Sequence, residues 1–186
     1  MKKYGQSDGE IKQFAYDVFC GLDGMCLPVF LCVGCDKYVC DSLAPIIAEI
    51  LRKKYNIRAY VYGGLDYNIN ATNLMSAIHY IETEHPYSQI VLIDATLGDD
   101  VGSIILTDGS YAGMGRILPI RKLGDFSILG VVAKKAKELH LNITKMKIVS
   151  DLAHSIAKGI AMAMSVFSTK IGQKFTQNLK YYEKNL

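Results

Sequence analysis

Two aspartates in this chain stand where carboxylates can do chemistry. Asp41 lies within Val33–Pro45, VGCDKYVCDSLAP, between the apolar run PVFLCV and the helix-like IIAEILRKKY. Asp94 closes QIVLIDA, Gln89–Ala95, which is apolar from Ile90 up to the aspartate. A carboxyl group ending an apolar strand is partly desolvated, which tends to raise its pKa, and a second carboxylate nearby separates the two titrations. One group can then hold a proton while the other is ionised, as in an acid–base pair acting on water and an amide or ester. Both residues also have ordinary structural uses. Asp94 can stop a strand and start a turn, and Asp41 can cap the helix that follows.

Pro45 helps to separate these uses for Asp41. Proline lacks an N–H and loses nothing up to the third helical position. With Asp41 as cap, Pro45 would stand fourth and forfeit a bond; with Ser42 as cap it stands third. The spacing therefore favours Ser42 and leaves Asp41 just ahead of the helix without a structural duty. Gly34 is the only glycine between Val33 and Pro45, so no phosphate-cradling loop is present, and two aspartates would repel a phosphate. Cys20, Cys26, Cys32, Cys35 and Cys40 all fall in the first quarter of the chain. An odd count without a secretory signal argues against a disulfide framework. Cys32 and Cys35 form a C-x-x-C pair, but Cys32 belongs to an apolar strand, where a thiol packs as a small hydrophobe. No second C-x-x-C or histidine pair completes a zinc site.

The elements that must position these residues alternate. SDGE, with Ser7 and Glu10 spaced as a capping box, opens an amphipathic helix ending near Gly21. Val29–Val33 reads as a buried strand and Ile46–Tyr55 as a helix. IRAYVYGG from Ile57 reads as a strand, TNLMSAIHYIET from Thr72 as a helix, and Gln89–Ala95 as a third strand. That alternation indicates a parallel sheet covered on both faces. Beyond Asp94, GSIILTDGS and GRILPI suggest a short antiparallel excursion. DFSILGVVAKKAKELH fits a helix despite Gly130, and MKIVSDLAHSIAKGIAMAMSVF a strand or loop leading into a long buried helix. In such a sheet, ligands bind beyond the carboxyl ends of the strands. Asp41 and Asp94 would both emerge there.

A chain of 186 residues suits one α/β domain. It divides into an N-terminal helical segment (1–27), a core (28–168) and a basic tail (169–186). The net charge of +3 is carried by the tail, where Lys170, Lys174, Lys180 and Lys184 stand against Glu183. A formally neutral body lacks the electrostatic footprint of a DNA-binding domain, so no nucleic-acid partner is expected. No apolar run reaches the roughly 18 residues needed to span a bilayer. The N-terminus has no apolar signal core. A cytoplasmic protein without membrane attachment is expected.

GCDKYVCDSLAP resembles the G-x-D-x-x-x-G-D-S-L-G-P motif of the YyaC-type sporulation proteins, which are similar to the spore germination protease and, more distantly, to the hydrogenase maturation proteases. The likeness continues in order through VYGGLDYNINATNL, VLIDATLG, VGSIILTDG, GMGRILPIRKLGDFSILGVV and LAHSIAKGI, covering roughly Pro28 to Phe167. It implies a phosphorylase/hydrolase-like three-layer αβα sandwich with a mostly parallel sheet, and a role in endospore formation. By position, the two catalytic aspartates of the germination protease correspond to Asp41 and Asp94. The resemblance implies a protein or peptide substrate, such as a spore protein, and no organic cofactor. The nickel-binding histidine of the maturation proteases falls near Ser127, so that triad is incomplete. Cys40 and Ala44 replace two glycines of the motif.

Asp36 and Asp125 are further carboxylates on the expected rim; each can bind substrate, or cap a loop and the following helix respectively. Gly64 and Asn73 could shape the opposing wall, and Asn73 could equally cap a helix. His79, His85, His140 and His154 sit on helix-like segments or their ends and read as surface or packing residues. Two rivals to the dyad remain open: a non-catalytic scaffold that docks a partner or peptide, and a divalent ion held by Asp36, Asp41 and Asp94.

Overall fold

The computed structural model describes residues 1–109, 125–134 and 144–185, with side chains described as far as Thr169. Its centre is a six-stranded sheet in the order β1-β5-β6-β4-β2-β3. The strands are β1 (Lys2–Tyr4), β2 (Val29–Cys32), β3 (Tyr60–Tyr62), β4 (Ile90–Leu97), β5 (Ile104–Asp108) and β6 (Phe126–Ala133). β3, β2, β4 and β6 pair in parallel, and β5 runs antiparallel between β6 and β1. The sheet is thus mostly parallel, as expected, with one reversed strand.

The strand sequences dictate which layer covers which face. Along β2 and β4, Phe30, Cys32, Val91 and Ile93 enter one buried cluster, while Val29, Leu31 and Leu92 enter another. Successive strand side chains point to opposite faces, so both faces must be covered. The first is covered by α1 (Asp8–Gly21), α2 (Leu43–Glu49) and α4 (Met146–Asn185) through residues such as Phe14, Ile47, Leu152 and Ile156. The second is covered by α3 (Leu74–Glu84) through Leu74, Ile78 and Ile81. The result is a three-layer αβα sandwich. Among the described residues, no helix is long and apolar enough to cross a membrane.

Helix starts follow the local chemistry. Ser7 Oγ accepts the Glu10 N–H at 3.4 Å, and the Glu10 carboxylate accepts from Ser7 Oγ at 2.6 Å and the Gly5 N–H at 2.8 Å, a capping box displaced by two residues. Ser42 precedes α2, so Pro45 is the third helical residue, as its missing N–H requires. Ser42 holds this place through its backbone, with Ile46 N–H bonding its carbonyl at 3.1 Å, while its hydroxyl turns back to the Val39 carbonyl at 2.9 Å.

Several expectations need correction. FSILGVVA is strand β6, not a helix; its residues from Phe126 to Val132 are buried between β4 and β5. A strand buried on both faces is uniformly apolar and loses the alternation that marks a strand in sequence. β4 does not end at Asp94 but runs on to Leu97, because Ala95, Thr96 and Leu97 still pair with β6. α2 starts at Leu43 and passes into a π-helical turn, Ile50–Lys54, rather than spanning Ile46–Tyr55 as one α-helix. The segment from Met146 is helical from its start. β1, which sequence patterning missed, pairs with β5, and β5 supplies the expected antiparallel excursion. GRILPI and His140 lie outside the described residues.

Candidate active site

β2 is where the chain reverses its direction across the sheet. It pairs with β3 on one side and β4 on the other, and the connecting helices α2 and α3 lie on opposite faces. Such a topological switch opens a crevice beyond the strands' carboxyl ends. Cys32 is the last residue of β2 paired with β4, opposite Ile93, and the Val33 N–H still reaches the Ile93 carbonyl at 2.8 Å. Asp94 is the next residue. It therefore stands where β2 leaves β4, on the α3 face that Leu92 also occupies.

This position withdraws the Asp94 carboxyl from solvent, although part of the residue stays accessible. Burial pushes its pKa from the ordinary 3.8 up to about 8; the Ala95 N–H, donating to Oδ1 at 2.7 Å, offsets part of this, and the charge of Asp41 adds to it. The carboxyl is thus a held proton at neutral pH. Asp41, in the loop after β2, is near enough for its charge to act on Asp94.

Asp41 owes its place to a folded-back loop. After β2 the chain runs to a short 3₁₀ turn, Val39–Asp41, which packs against β4 and leads into α2. The Asp41 carbonyl accepts the Cys35 N–H at 3.0 Å, and the Asp41 N–H donates to the Tyr38 carbonyl at 3.0 Å. Gly34 makes this closure possible. Its φ is +151°, and a Cβ there would lie 2.2 Å from the Asp41 carbonyl oxygen. The Gly34 N–H donates to the Ile69 carbonyl at 2.7 Å, tying the loop to the segment after β3.

Two cysteines flank Asp41. Burial, then the neighbouring Asp41 side chain, push the Cys35 thiol up, against the Lys37 and Tyr38 backbone N–H groups. Burial, then the charge of Asp41, push the Cys40 thiol up as well. Neither is an activated thiolate. Cys32 is fully buried and pushed by burial to about 12, in keeping with its packing role, and all five cysteines are free.

The remaining expected site residues divide. Asp36 is exposed on the loop, and its Oδ1 accepts from Asn68 Nδ2 at 2.8 Å. Asn73 is the N-cap of α3 through its backbone, the Ala77 N–H bonding its carbonyl at 2.9 Å; its Oδ1 accepts the Asn70 N–H at 2.9 Å and its Nδ2 donates to the Asn68 carbonyl at 2.9 Å. Gly64, at φ +145°, follows β3, and a Cβ there would lie 2.6 Å from Arg52 Nη1 and 2.9 Å from Glu49 Oε1. Asp36 thus lies in the loop after β2, and Gly64 and Asn73 in the segment between β3 and α3.

Asp125 is a correction: it lies at the opposite edge of the sheet. It caps no helix. Instead its N–H donates to the Ile90 carbonyl at 2.8 Å and its Oδ2 accepts the Ile90 N–H at 2.9 Å, at the amino end of β4. Ser127 shares the face of Asp94 but is level with Leu92, two residues toward the amino end. Its hydroxyl donates to the Gly109 carbonyl at 3.2 Å. Among the described residues, no three His, Cys, Asp or Glu side chains converge to hold a metal, so Asp36 does not join Asp41 and Asp94 as a ligand set. His85 hydrogen-bonds Tyr62 at 2.7 Å and stacks on Tyr60, and His154 bonds the Ser150 carbonyl at 2.8 Å.

Sequence patterning missed Arg52. It sits in the π-helical turn, and its Nη2 donates to the Val61 carbonyl at 2.9 Å and also to the Gly63 carbonyl. Tyr60 hydrogen-bonds inward to Pro28, so the alternate carbonyls of Val61 and Gly63 face the outer edge of the sheet, which Arg52 seals. No short-range signal marks this, because the contact depends on one extra residue in a helical turn.

Fold and site together define an α/β sandwich with a carboxylate pair at its topological switch point. Residues 22–159 match the family described as protein of unknown function (DUF1256), and the chain belongs to that family. It is also similar to the uncharacterized protein YyaC of Bacillus subtilis (strain 168), at 30% identity over 141 residues covering 72% of this chain and 68% of the relative.

Proposed function

We propose that this protein is an aspartate-dyad hydrolase acting on a peptide bond, in which Asp94 and Asp41 share a proton and activate water toward the carbonyl. One observation carries this reading: the Asp94 carboxyl is withdrawn from water where β2 leaves β4, which pushes its pKa up to about 8, and the charge of Asp41 adds to that. A protonated carboxyl can polarise the carbonyl or protonate the leaving nitrogen, and its partner can take the proton of water. The substrate class, a protein or peptide, and the sporulation role rest on the motif resemblance to the germination protease; the cytoplasm is the expected location.

The test is a peptide-library assay with the wild type, Asp41→Asn and Asp94→Asn. We expect turnover by the wild type and at least a 100-fold loss in each variant, the scale of a lost general acid or base. Equal turnover by all three contradicts the dyad. A second reading is favoured by Cys40, whose partly buried side chain occupies a glycine position of the motif beside Asp41. In that reading the scaffold binds a protein or peptide without cleaving it. Recovery of a stoichiometric partner that survives intact with the wild type, and no cleavage of any library peptide, would favour it.

A further inference from the structure

We propose that the outer edge of the sheet, beside β3, is a binding site for a nucleotide, taken free or as part of a single strand. The site is separate from the dyad and does not rest on it. A cleft of about 350 Å³ opens there, with Arg52, Asn56, Ile57, Tyr60, Val61 and Tyr62 in its walls, a volume within the range of small-ligand sites. Its aromatic wall is held in place. The Tyr60 ring stacks on His85, with centroids 3.8 Å apart and planes 23° from parallel. His85 is fixed in turn by the Tyr62 hydroxyl, 2.7 Å from its Nε2. One face of Tyr60 is therefore taken, yet the residue is still 39% exposed and lines the cleft. A ring held in this way offers its other face to a planar group with little further loss of freedom, and any base can stack on it.

The charge beside the cleft has one sign. From Arg52 to Tyr62 the chain reads RKKYNIRAYVY, with four basic residues and no acidic one. Glu49 pairs with Arg52 at 3.4 Å and with Lys53 at 2.7 Å. Lys54 and Arg58, which bracket Asn56 and Ile57 in the chain, are exposed, and neither pairs with a carboxylate among the described residues. Lys54 lies instead over the Tyr55 ring, 5.5 Å from its centroid. Asn56 follows the π-helical turn at φ +43°, a left-handed conformation that asparagine tolerates. Its exposed amide is a spare donor and acceptor on the cleft wall. A π-helical turn is itself a form found mostly at functional sites. The neutral sum over the body, from which no nucleic-acid partner is expected, hides this local excess of positive charge. Cations alone would serve any anion, and a tyrosine alone any flat ring. The two side by side suit a ligand that carries both, an aromatic base joined to a phosphate.

The test titrates the full chain with AMP, UMP, inorganic phosphate and a single-stranded oligonucleotide of about eight nucleotides. NMR follows the Tyr60 and His85 ring resonances, and calorimetry gives the affinity. Saturable shifts of both rings with AMP and UMP, and weaker binding of inorganic phosphate, are expected. An oligonucleotide that binds more tightly than the mononucleotides assigns the site to a strand; one that does not assigns it to the free nucleotide, and either supports the site. Tyr60→Ala should weaken nucleotide binding about tenfold by removing the stack. The double change Lys54→Ala with Arg58→Ala, on two exposed side chains, should cost about as much by removing the phosphate's partners. Melting curves confirm folding, and if Tyr60→Ala does not fold, Tyr60→Leu, bulky but without a ring face, takes its place. Rings that do not shift at millimolar nucleotide overturn the proposal. So do phosphate binding as tight as that of AMP, and full affinity in either variant. The dyad stands or falls separately, on the Asp41→Asn and Asp94→Asn assays.

Discussion

Asp17 and Asp94 are both aspartates withdrawn from water, and the protein treats them in opposite ways. Asp17, on α1, is 8% exposed and faces β1. Burial alone would raise its pKa, but Lys2 Nζ at 2.6 Å, the Tyr4 hydroxyl at 2.7 Å and Gln13 Nε2 at 3.2 Å all donate to it, and the net shift is downward. Asp94 has one short donor, the N–H of the next residue, and a second aspartate for a neighbour. A carboxylate that serves structure is surrounded by donors until the charged form is favoured. One left short of donors at a crevice keeps its proton, and such an arrangement costs stability that a purely structural residue would not.

The largest effect that sharpens this contrast is expected in Asp94→Asn. With a folded pKa raised above the unfolded 3.8, Asp94 contributes no penalty below pH 3.8; between there and about 8 the folded state keeps a proton that the unfolded state has lost, so stability falls as pH rises. Removing the ionisable group should therefore stabilise the protein on the order of 5 kcal/mol at pH 9 and leave it nearly unchanged near pH 4. Denaturant melts at the two pH values measure it. A variant less stable than wild type at pH 9 would break the comparison.

Asp17→Ala should act in the other direction, by about 2 kcal/mol at neutral pH, because it leaves the buried Tyr4 hydroxyl without its acceptor. The sign of its pH dependence is also reversed. The folded pKa of Asp17 is depressed, so its contribution is present above the unfolded value and is lost as pH falls through the folded one. The gap between wild type and variant should narrow in acid, and thermal melts from pH 7 to pH 3 follow it.

Arg52→Ala comes next, at about 1 kcal/mol, because it uncovers the Val61 and Gly63 carbonyls at the sheet's open edge. Hydrogen exchange of the Tyr62 to Gly64 amides should quicken, whereas the amide of Ile93, at the centre of the sheet, should not. Smallest of all is Lys147→Ala. Its partner Asp151 is one turn away on an exposed face of α4, and no change in Tm is expected.

The sequence made the framework legible where one local rule governed. The missing N–H of Pro45 located the start of α2, and the Ser7–Glu10 spacing located the start of α1. The placing of Asp41 in the loop after β2 and of Asp94 on β4 was legible because strands and helices alternate there. β6 was not, since burial on both faces erases its alternation and the basic run after it has helical spacing. The misplacement of Asp125 followed from that error, because reading β6 as a helix put its first residue on the wrong edge. Arg52 was hidden for a different reason: it acts on backbone carbonyls nine and eleven positions away, and no side-chain pattern encodes that contact.

The most direct measurement is the titration of the Asp94 carboxyl carbon by NMR in the unmodified protein, with Asp17 as internal reference. A midpoint near 8 for Asp94, beside one below the usual aspartate range for Asp17, is the result expected. Both residues titrating together near their ordinary value would contradict the account.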